Sequence, residues 1–190
     1  MAERYFTYIS DAAHGDFGDS LKQRGRTVMD IIATKFPVSA KLGGMAVVLA
    51  LCVGVPLGVL AAYKRGTFID SLFSVIATCG IAVPGFVICT LLLYVFGVKL
   101  QWLPTLGLKS AQSYIMPVIA LAAYPTSYIM RLMRSSMLDV LGQDYMRTAK
   151  AKGLSQKVSL FKHALRNAIL PVITYVGPML AYTLTGSFVT

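Results

Sequence analysis

The sequence predicts an all-α, polytopic transmembrane helical bundle, and three observations carry that expectation. Of the 190 residues, 56% are hydrophobic and only 14% charged, where a soluble domain carries about a quarter charged residues. The mean hydropathy is +0.65, so a globule of this chain would lack the polar surface to cover itself. The apolar residues are gathered into runs that approach or exceed the ~20 residues needed to cross a bilayer as a helix. Finally, the net charge of +10 is placed between or at the ends of those runs. Residues 1–36 hold Arg4, Lys22, Arg24, Arg26 and Lys35 against Glu3, Asp11, Asp16, Asp19 and Asp30, which cancel. The whole excess lies in residues 37–190, in the pattern of cytoplasmic loops that retain Lys and Arg. A nucleic-acid partner is not expected, because that reading needs basic and aromatic residues on one accessible face.

Residues 1–36 are polar, with a turn at His14-Gly15-Asp16-Phe17-Gly18-Asp19-Ser20. A short amphipathic helix is expected from Val28 to Phe36, ending before Pro37. The first span is expected from Leu42 to Tyr63, closing on Lys64-Arg65-Gly66. Its Gly54 and Gly58 form a Gly-x-x-x-Gly pair, which lets a neighbouring backbone approach one helix face. The second segment, Phe68 to Val98, is too long for one upright span and too short for two. Pro84-Gly85 lies near its middle, so a single tilted or kinked helix is expected. Trp102 marks the following interface. The third span runs from Tyr114 to Ile129 and closes on Arg131 and Arg134. The fourth starts near Ile169 and contains Pro171, Gly177 and Pro178; with Gly54, Gly58, Pro84 and Gly85 these are the expected packing and hinge positions.

Charge sets the expected orientation. Lys64-Arg65 and the loop at 132–166 are basic and read as cytoplasmic; Lys99 and Lys109 alone populate the loop read as external. Alternation makes residues 1–36 an external segment and residues 37–190 a transmembrane domain of about four spans. A polar external amino-terminal segment without a signal implies a missing upstream helix, and a chain stopping within an apolar run implies a missing downstream one. The expectation is a subunit truncated at both ends.

The chemistry of an enzyme is not legible. Gly107-Leu108-Lys109-Ser110 is too short for a phosphate loop, and no His-Glu-x-x-His occurs. Neither a metal nor a bound cofactor is expected. Cys52, Cys79 and Cys89 sit in apolar runs as small hydrophobes, and His14 and His163 read as solvated or capping residues. Thr78, Thr90 and Tyr94 are candidates for lining a polar pathway, or equally for hydrogen bonds within the bundle.

The informative stretch is the basic loop. Asp144 is expected to cap a helix starting at Tyr145, and Thr148, Ala149 and Ala151 are small. Gly153 should end or bend that helix. A second amphipathic stretch places Val158, Phe161 and Leu165 at helical spacing. Two short helices meeting at a glycine, with Arg147, Lys150 and Lys152 to steer association, suit docking into a groove on a cytoplasmic partner. An ordinary basic loop lying on anionic headgroups, in a structural or assembly protein of the membrane, is the other reading.

The string from Gly142 to Leu154, Gly-Gln-Asp-Tyr-Met-Arg-Thr-Ala-Lys-Ala-Lys-Gly-Leu, resembles the signature loop of the integral-membrane permeases of bacterial ABC importers. The branch it is similar to moves dipeptides, oligopeptides and, in some members, nickel. In the wider family the loop reads Glu-Ala-Ala, three residues, Gly, then Ile-x-Leu-Pro. Here Arg147-Thr148-Ala149 and Gly153 stand at those positions, the glutamate is absent, and Leu170-Pro171 arrives late. The resemblance implies that Asp144 to Ser155 couple the chain to partner ATPase subunits that hydrolyse ATP. It also implies a second homologous permease subunit, an external substrate-binding protein, membrane lipid around the spans, and location in the bacterial inner membrane. The implied cargo is a di- or oligopeptide, with nickel, glutathione or another small solute as the alternative.

Overall fold

A computed structural model describes residues 2–155 and 158–186. Lys157 and Ser187, and the side chains of Lys150, Lys162 and Thr185, lie outside the described residues. The chain divides into two units, residues 1–41 and 42–190.

In the first unit, α1 (Ala2–Ala13) occupies a stretch read from sequence only as polar. Its end is closed by His14, whose Nδ1 lies 2.7 Å from the Ser10 carbonyl. Gly15 and Gly18 turn the chain at φ 87° and 71°, and the Gly18 N–H donates to Asp16 Oδ1 at 2.9 Å. Thr27 and Asp30 form a reciprocal cap: the Asp30 N–H donates to Thr27 Oγ1 (3.1 Å) and the Thr27 N–H to Asp30 Oδ2 (3.4 Å).

That cap starts α2 (Val28–Tyr63), a single helix of 36 residues. The short helix expected before Pro37 and the span expected from Leu42 are therefore continuous. No turn residue separates them, and one proline removes one hydrogen bond without breaking a long apolar helix. Gly66, at φ 76°, turns the chain into α3 (Phe68–Ala82). The single kinked helix expected over Phe68 to Val98 is instead two, α3 and α4 (Gly85–Leu92), bent by 100° at the break. Val83 is extended (ψ 121°), as a residue before proline prefers, and Pro84 (ψ 141°) accepts from the Val87 N–H at 3.0 Å to open α4. A π-helical continuation covers Leu93–Lys99, and Trp102 is exposed beside Phe96 at 6.0 Å between centroids.

After a 3₁₀ turn (Ala111–Tyr114), α5 (Ile115–Leu141) runs 27 residues. The span expected to close at Ile129 thus continues three turns beyond it. Arg134 does not end the helix because its charge is matched: Nε donates to Asp70 Oδ1 at 2.6 Å and Nη2 to Oδ2 at 2.8 Å. The Gly66 N–H donates to the same carboxylate at 3.1 Å, so one buried acid ties the α2–α3 turn and α3 to α5. A buried charge is tolerated only when it is paired and hydrogen-bonded in this way. Beyond α6 (Asp144–Ala151), a π-helical segment (Ser159–Ala164) and α7 (Leu165–Ala168) lead to α8 (Leu170–Gly186), which contains Pro178. Two unbroken helices, Val28–Tyr63 and Ala111–Leu141, are long and apolar enough to cross a membrane, or up to four spans if each bent pair counts as one.

The centre of the second unit is α5, against which α3, α4, α7 and α8 pack. Ile129, Met133 and Met137 are fully buried, together with Ala50 of α2 and Val172 and Met179 of α8, and Val59 of α2 is buried beside them. Glycine brings α2 onto α5. A Cβ at Gly54 would lie 2.8 Å from the Thr126 carbonyl, and one at Gly58 would lie 2.6 Å from that of Met130. Gly80 of α3 makes the same kind of approach at Ser127.

Two outcomes follow. Gly58→Ala lowers the midpoint of unfolding in detergent, at an expected cost of ~3 kcal/mol because the obstacle is backbone, while Gly44→Ala, where a Cβ meets nothing within 4 Å, leaves it unchanged. Equal midpoints for the two variants would contradict the close contact. Asp70→Asn leaves a partly buried guanidinium unpaired and costs ~2 kcal/mol, the Arg134 side chain being 31% exposed. Arg134→Lys, which keeps the charge and loses the fork, shows a smaller drop in the same assay.

Candidate functional site

The site is assembled where α5 ends. Gly142 closes α5, its N–H shared between the Leu138 and Asp139 carbonyls (3.2 and 3.3 Å). The next helix begins one residue earlier than expected. Gln143 supplies the first acceptor, to the N–H groups of Met146 (3.0 Å) and Arg147 (3.4 Å). Asp144 is thus the first helical residue rather than the cap. Its carboxylate there complements the positive end of the peptide dipoles and lies 3.7 Å from Arg147 Nη1. Both side chains are largely in solvent, where such a pair adds little stability.

One side of α6 is anchored. Met146 is fully buried in the same apolar cluster as Met133 and Met137 of α5 and Leu160 and Ala164 beyond the turn. Ala149, three residues on and 9% exposed, shares that face. Tyr145 adds a polar tie, its hydroxyl accepting from Asn167 Nδ2 at 3.0 Å. The opposite side is open: Asp144, Tyr145, Arg147, Thr148, Ala151 and Lys152 are exposed, as are Gly153, Leu154 and Ser155 beyond them.

Gly153 adopts φ 79°, the left-handed conformation that costs a residue with a Cβ about 1 kcal/mol or more. It lets the Leu154 N–H reach back to the Ala149 carbonyl (3.3 Å), a glycine-terminated helix end. Ser155 starts the next segment, its carbonyl accepting from the Ser159 N–H (3.0 Å) and its hydroxyl from the Val158 N–H (3.4 Å). That segment splits the stripe read from sequence, with Leu165 partly buried against the core. Phe161 and Val158 are exposed, and Leu160, Ala164 and Ala168 face the core. The π-helical turn over Ser159–Ala164 adds a residue to the repeat and rotates the inward face. Phe161 and Leu165 instead line an apolar groove of about 430 Å³ with Val55, Pro56, Val59 and Leu60 of α2.

The hinge positions fall into different classes. Gly54 and Gly58 face α5, and Pro84 caps α4 with Gly85 after it. Pro171 occupies the first turn of α8, where its missing N–H costs nothing. A Cβ at Gly177 would meet nothing within 4 Å, so it makes no close contact within this chain. Thr78 and Thr90 donate to carbonyls of their own helices, Ser74 and Phe86, both at 2.8 Å. Sequence reading missed the Asp70–Arg134 pair, whose partners are 64 positions apart; two opposite charges at the ends of different apolar runs were the only available signal. Among the described residues no group of His, Cys, Asp or Glu is arranged to hold a metal.

Residues 54–190 match the family model described as the inner membrane component of binding-protein-dependent transport systems. The chain is 44% identical over 188 residues to the oligopeptide transport system permease protein OppB of Salmonella typhimurium, covering 98% of this chain and 61% of that protein. It is 46% identical over 186 residues to the dipeptide transport system permease protein DppB of Bacillus subtilis, covering 98% and 60%. The glutathione transport system permease protein GsiC of Escherichia coli is 43% identical over 189 residues, covering 100% and 61%. The chain spans about three fifths of the length of these relatives. An all-α body built on apolar helices, a glycine-ended basic helix on its surface, and a match over 54–190 together assign it: the chain belongs to the family of inner-membrane components of binding-protein-dependent transport systems.

Proposed function

We propose that this chain is the pathway-forming part of a permease subunit in an ATP-driven importer of di- and oligopeptides. It would work with a second homologous permease subunit, cytoplasmic ATPase subunits and an external substrate-binding protein. The observation that carries the reading is the split character of α6. Its inner face is fixed by Met146 to the same core as α5, and its outer face, from Asp144 to Ser155, is open and basic. A partner that seats on the outer face therefore moves α5 with it, since fully buried apolar contacts resist slippage. The positive charge of the 132–166 loop supports a cytoplasmic side for it, where ATP is available, and alternation of spans then supports an external side for residues 1–36.

The mechanism proposed is alternating access. Closure of the ATPase pair displaces α6, and the body packed on α5 rocks between inward-open and outward-open states. ATP is hydrolysed by the partners, and this chain supplies leverage and pathway. Peptide cargo is supported by relatives named for oligopeptide and dipeptide transport. Glutathione, itself a tripeptide, is the second reading, supported by the relative named for it.

Two measurements test the docking role. Single cysteines at Ala151 or Ser155, in the assembled transporter, are expected to crosslink to the ATPase subunit in an ATP-sensitive manner, and a cysteine at the inward-facing Ala149 to crosslink far less. Intact uptake with no crosslink at Ala151 or Ser155 would sink the role, and binding of the loop to anionic vesicles alone would favour the lipid-surface reading. Gly153→Leu is expected to reduce uptake at least tenfold with normal membrane insertion, whereas Gly153→Asn, which tolerates the left-handed conformation, retains most of it. Uptake by the leucine variant at the parent rate would contradict a role for the glycine-ended turn.

A further inference from the structure

Four of the ten tyrosines meet on one face of the bundle. Tyr128 of α5 stacks on Tyr175 of α8 at 4.4 Å between ring centroids, Tyr124 lies 6.3 Å from Tyr128, and Tyr182 lies 6.0 Å from Tyr124. Tyr124, Tyr128 and Tyr182 are exposed. Their depth is unusual. The helical stretch Ala111–Leu141 is the candidate span, and its midpoint falls at residue 126, between Tyr124 and Tyr128. Tyrosine favours the membrane–water interface, where its ring is apolar-facing and its hydroxyl wet. A cluster of phenols at mid-span, turned outward from the helix core, is out of place against acyl chains.

A second, independent observation concerns the backbone beside the rings. Pro178 lies inside α8, exposed on the helix face between Tyr175 and Tyr182, whereas Pro125 of α5 is fully buried. Pro178 lacks the N–H that would bond the carbonyl four residues earlier, which frees the exposed Thr174 carbonyl from that partner. Backbone of this kind at membrane depth is tolerated where it is buried in protein or lines a water-filled cavity. Phenol hydroxyls, ring faces and the Thr174 carbonyl oxygen are thus gathered on one face, with no carboxylate among them.

We propose that this tyrosine face is a substrate-contacting surface, over which a short peptide passes in transit. The proposal rests on the peptide-importer reading above and names the surface that reading needs. The chemistry fits a peptide of any sequence. The Thr174 carbonyl oxygen and the phenol oxygens accept from peptide N–H groups and from the terminal ammonium, which ring faces also attract. The rings give apolar side chains area to slide on. Thr78 and Thr90, bonded to their own helices, are not needed for it.

The test uses the assembled transporter in proteoliposomes, with Cys52, Cys79 and Cys89 replaced by serine and trialanine uptake retained. Single cysteines at Tyr128 and Tyr175 are expected to react with a membrane-impermeant methanethiosulfonate reagent. Saturating trialanine with ATP should slow that labelling at least fivefold. A cysteine at Ile173, exposed on a different face of α8, is the lipid-facing control and should label slowly with or without peptide. In parallel, Tyr128→Leu with Tyr175→Leu should lower trialanine uptake about tenfold with ATP hydrolysis maintained, and Tyr→Phe at both positions should recover most of the loss. Labelling at 128 and 175 that is no faster than at 173, or that peptide does not slow, overturns the proposal, as does parent-rate uptake by the leucine pair. If the cysteine variants fail to assemble, the Leu-versus-Phe comparison decides alone; equal losses for both overturn it. The two readings fail separately: a parent transporter without trialanine uptake refutes the peptide-importer reading, whereas normal uptake with an unprotected tyrosine face refutes only this one.

Discussion

The rest of the second unit depends on how closely other helices can approach α5. In a membrane, helix association is driven by van der Waals contact and hydrogen bonding, because lipid is as apolar as the side chains. Distance of approach therefore decides which helices stay together. At Gly54, Gly58 and Gly80 the approach is so close that a methyl group would meet a backbone carbonyl or the Ser127 side chain. The buried residues around those contacts are mostly alanine and methionine. Alanine permits short distances, and unbranched methionine fills the irregular space that remains.

The Asp70–Arg134 pair adds direction to that contact. Dispersion forces hold helices side by side but do little to prevent sliding, whereas a two-pronged guanidinium–carboxylate contact fixes both position and angle. Its acid also holds the Gly66 N–H, so the turn between α2 and α3 is registered to α5 at one level. Three residues further along α5, Met137 belongs to the buried cluster that also holds Met146 and attaches α6. Buried contacts thus join α6 to α5, and the ion pair joins α5 to α3, which ends at the sharp break before α4.

Against this fixed half stand features that favour movement. The extended Val83-Pro84 break, the π-helical turns at Leu93–Lys99 and Ser159–Ala164, and the prolines within α5 and α8 each remove or redirect backbone hydrogen bonds. They lie on elements around α5 or at its mid-depth, while its last turns, which carry Met133 and Met137, contain none.

The sequence by itself determined the properties that depend on local composition and spacing. Apolar runs and the placement of Lys and Arg specified an all-α membrane bundle, Gly153 specified a helix end, and Gly54 with Gly58 specified a face of close approach. Local reading failed where a distant residue changed the outcome. Arg134 read as the end of a span, but Asp70, 64 positions away, neutralises it and α5 runs on. Val158, Phe161 and Leu165 read as one stripe at helical spacing, but a π-helical turn leaves Val158 and Phe161 exposed and turns Leu160 and Ala164 inward. Pro84 read as a kink and became a 100° break, while Pro37 read as a stop and is carried within α2. Gly177 looked like Gly54 in sequence, yet no neighbour lies near it, whereas Gly80 went unremarked and touches Ser127. Nothing in the one-dimensional pattern brings Tyr124 and Tyr128 to Tyr175 and Tyr182. Only the way α8 packs on α5 does that, because burial and pairing depend on neighbours that the sequence does not place.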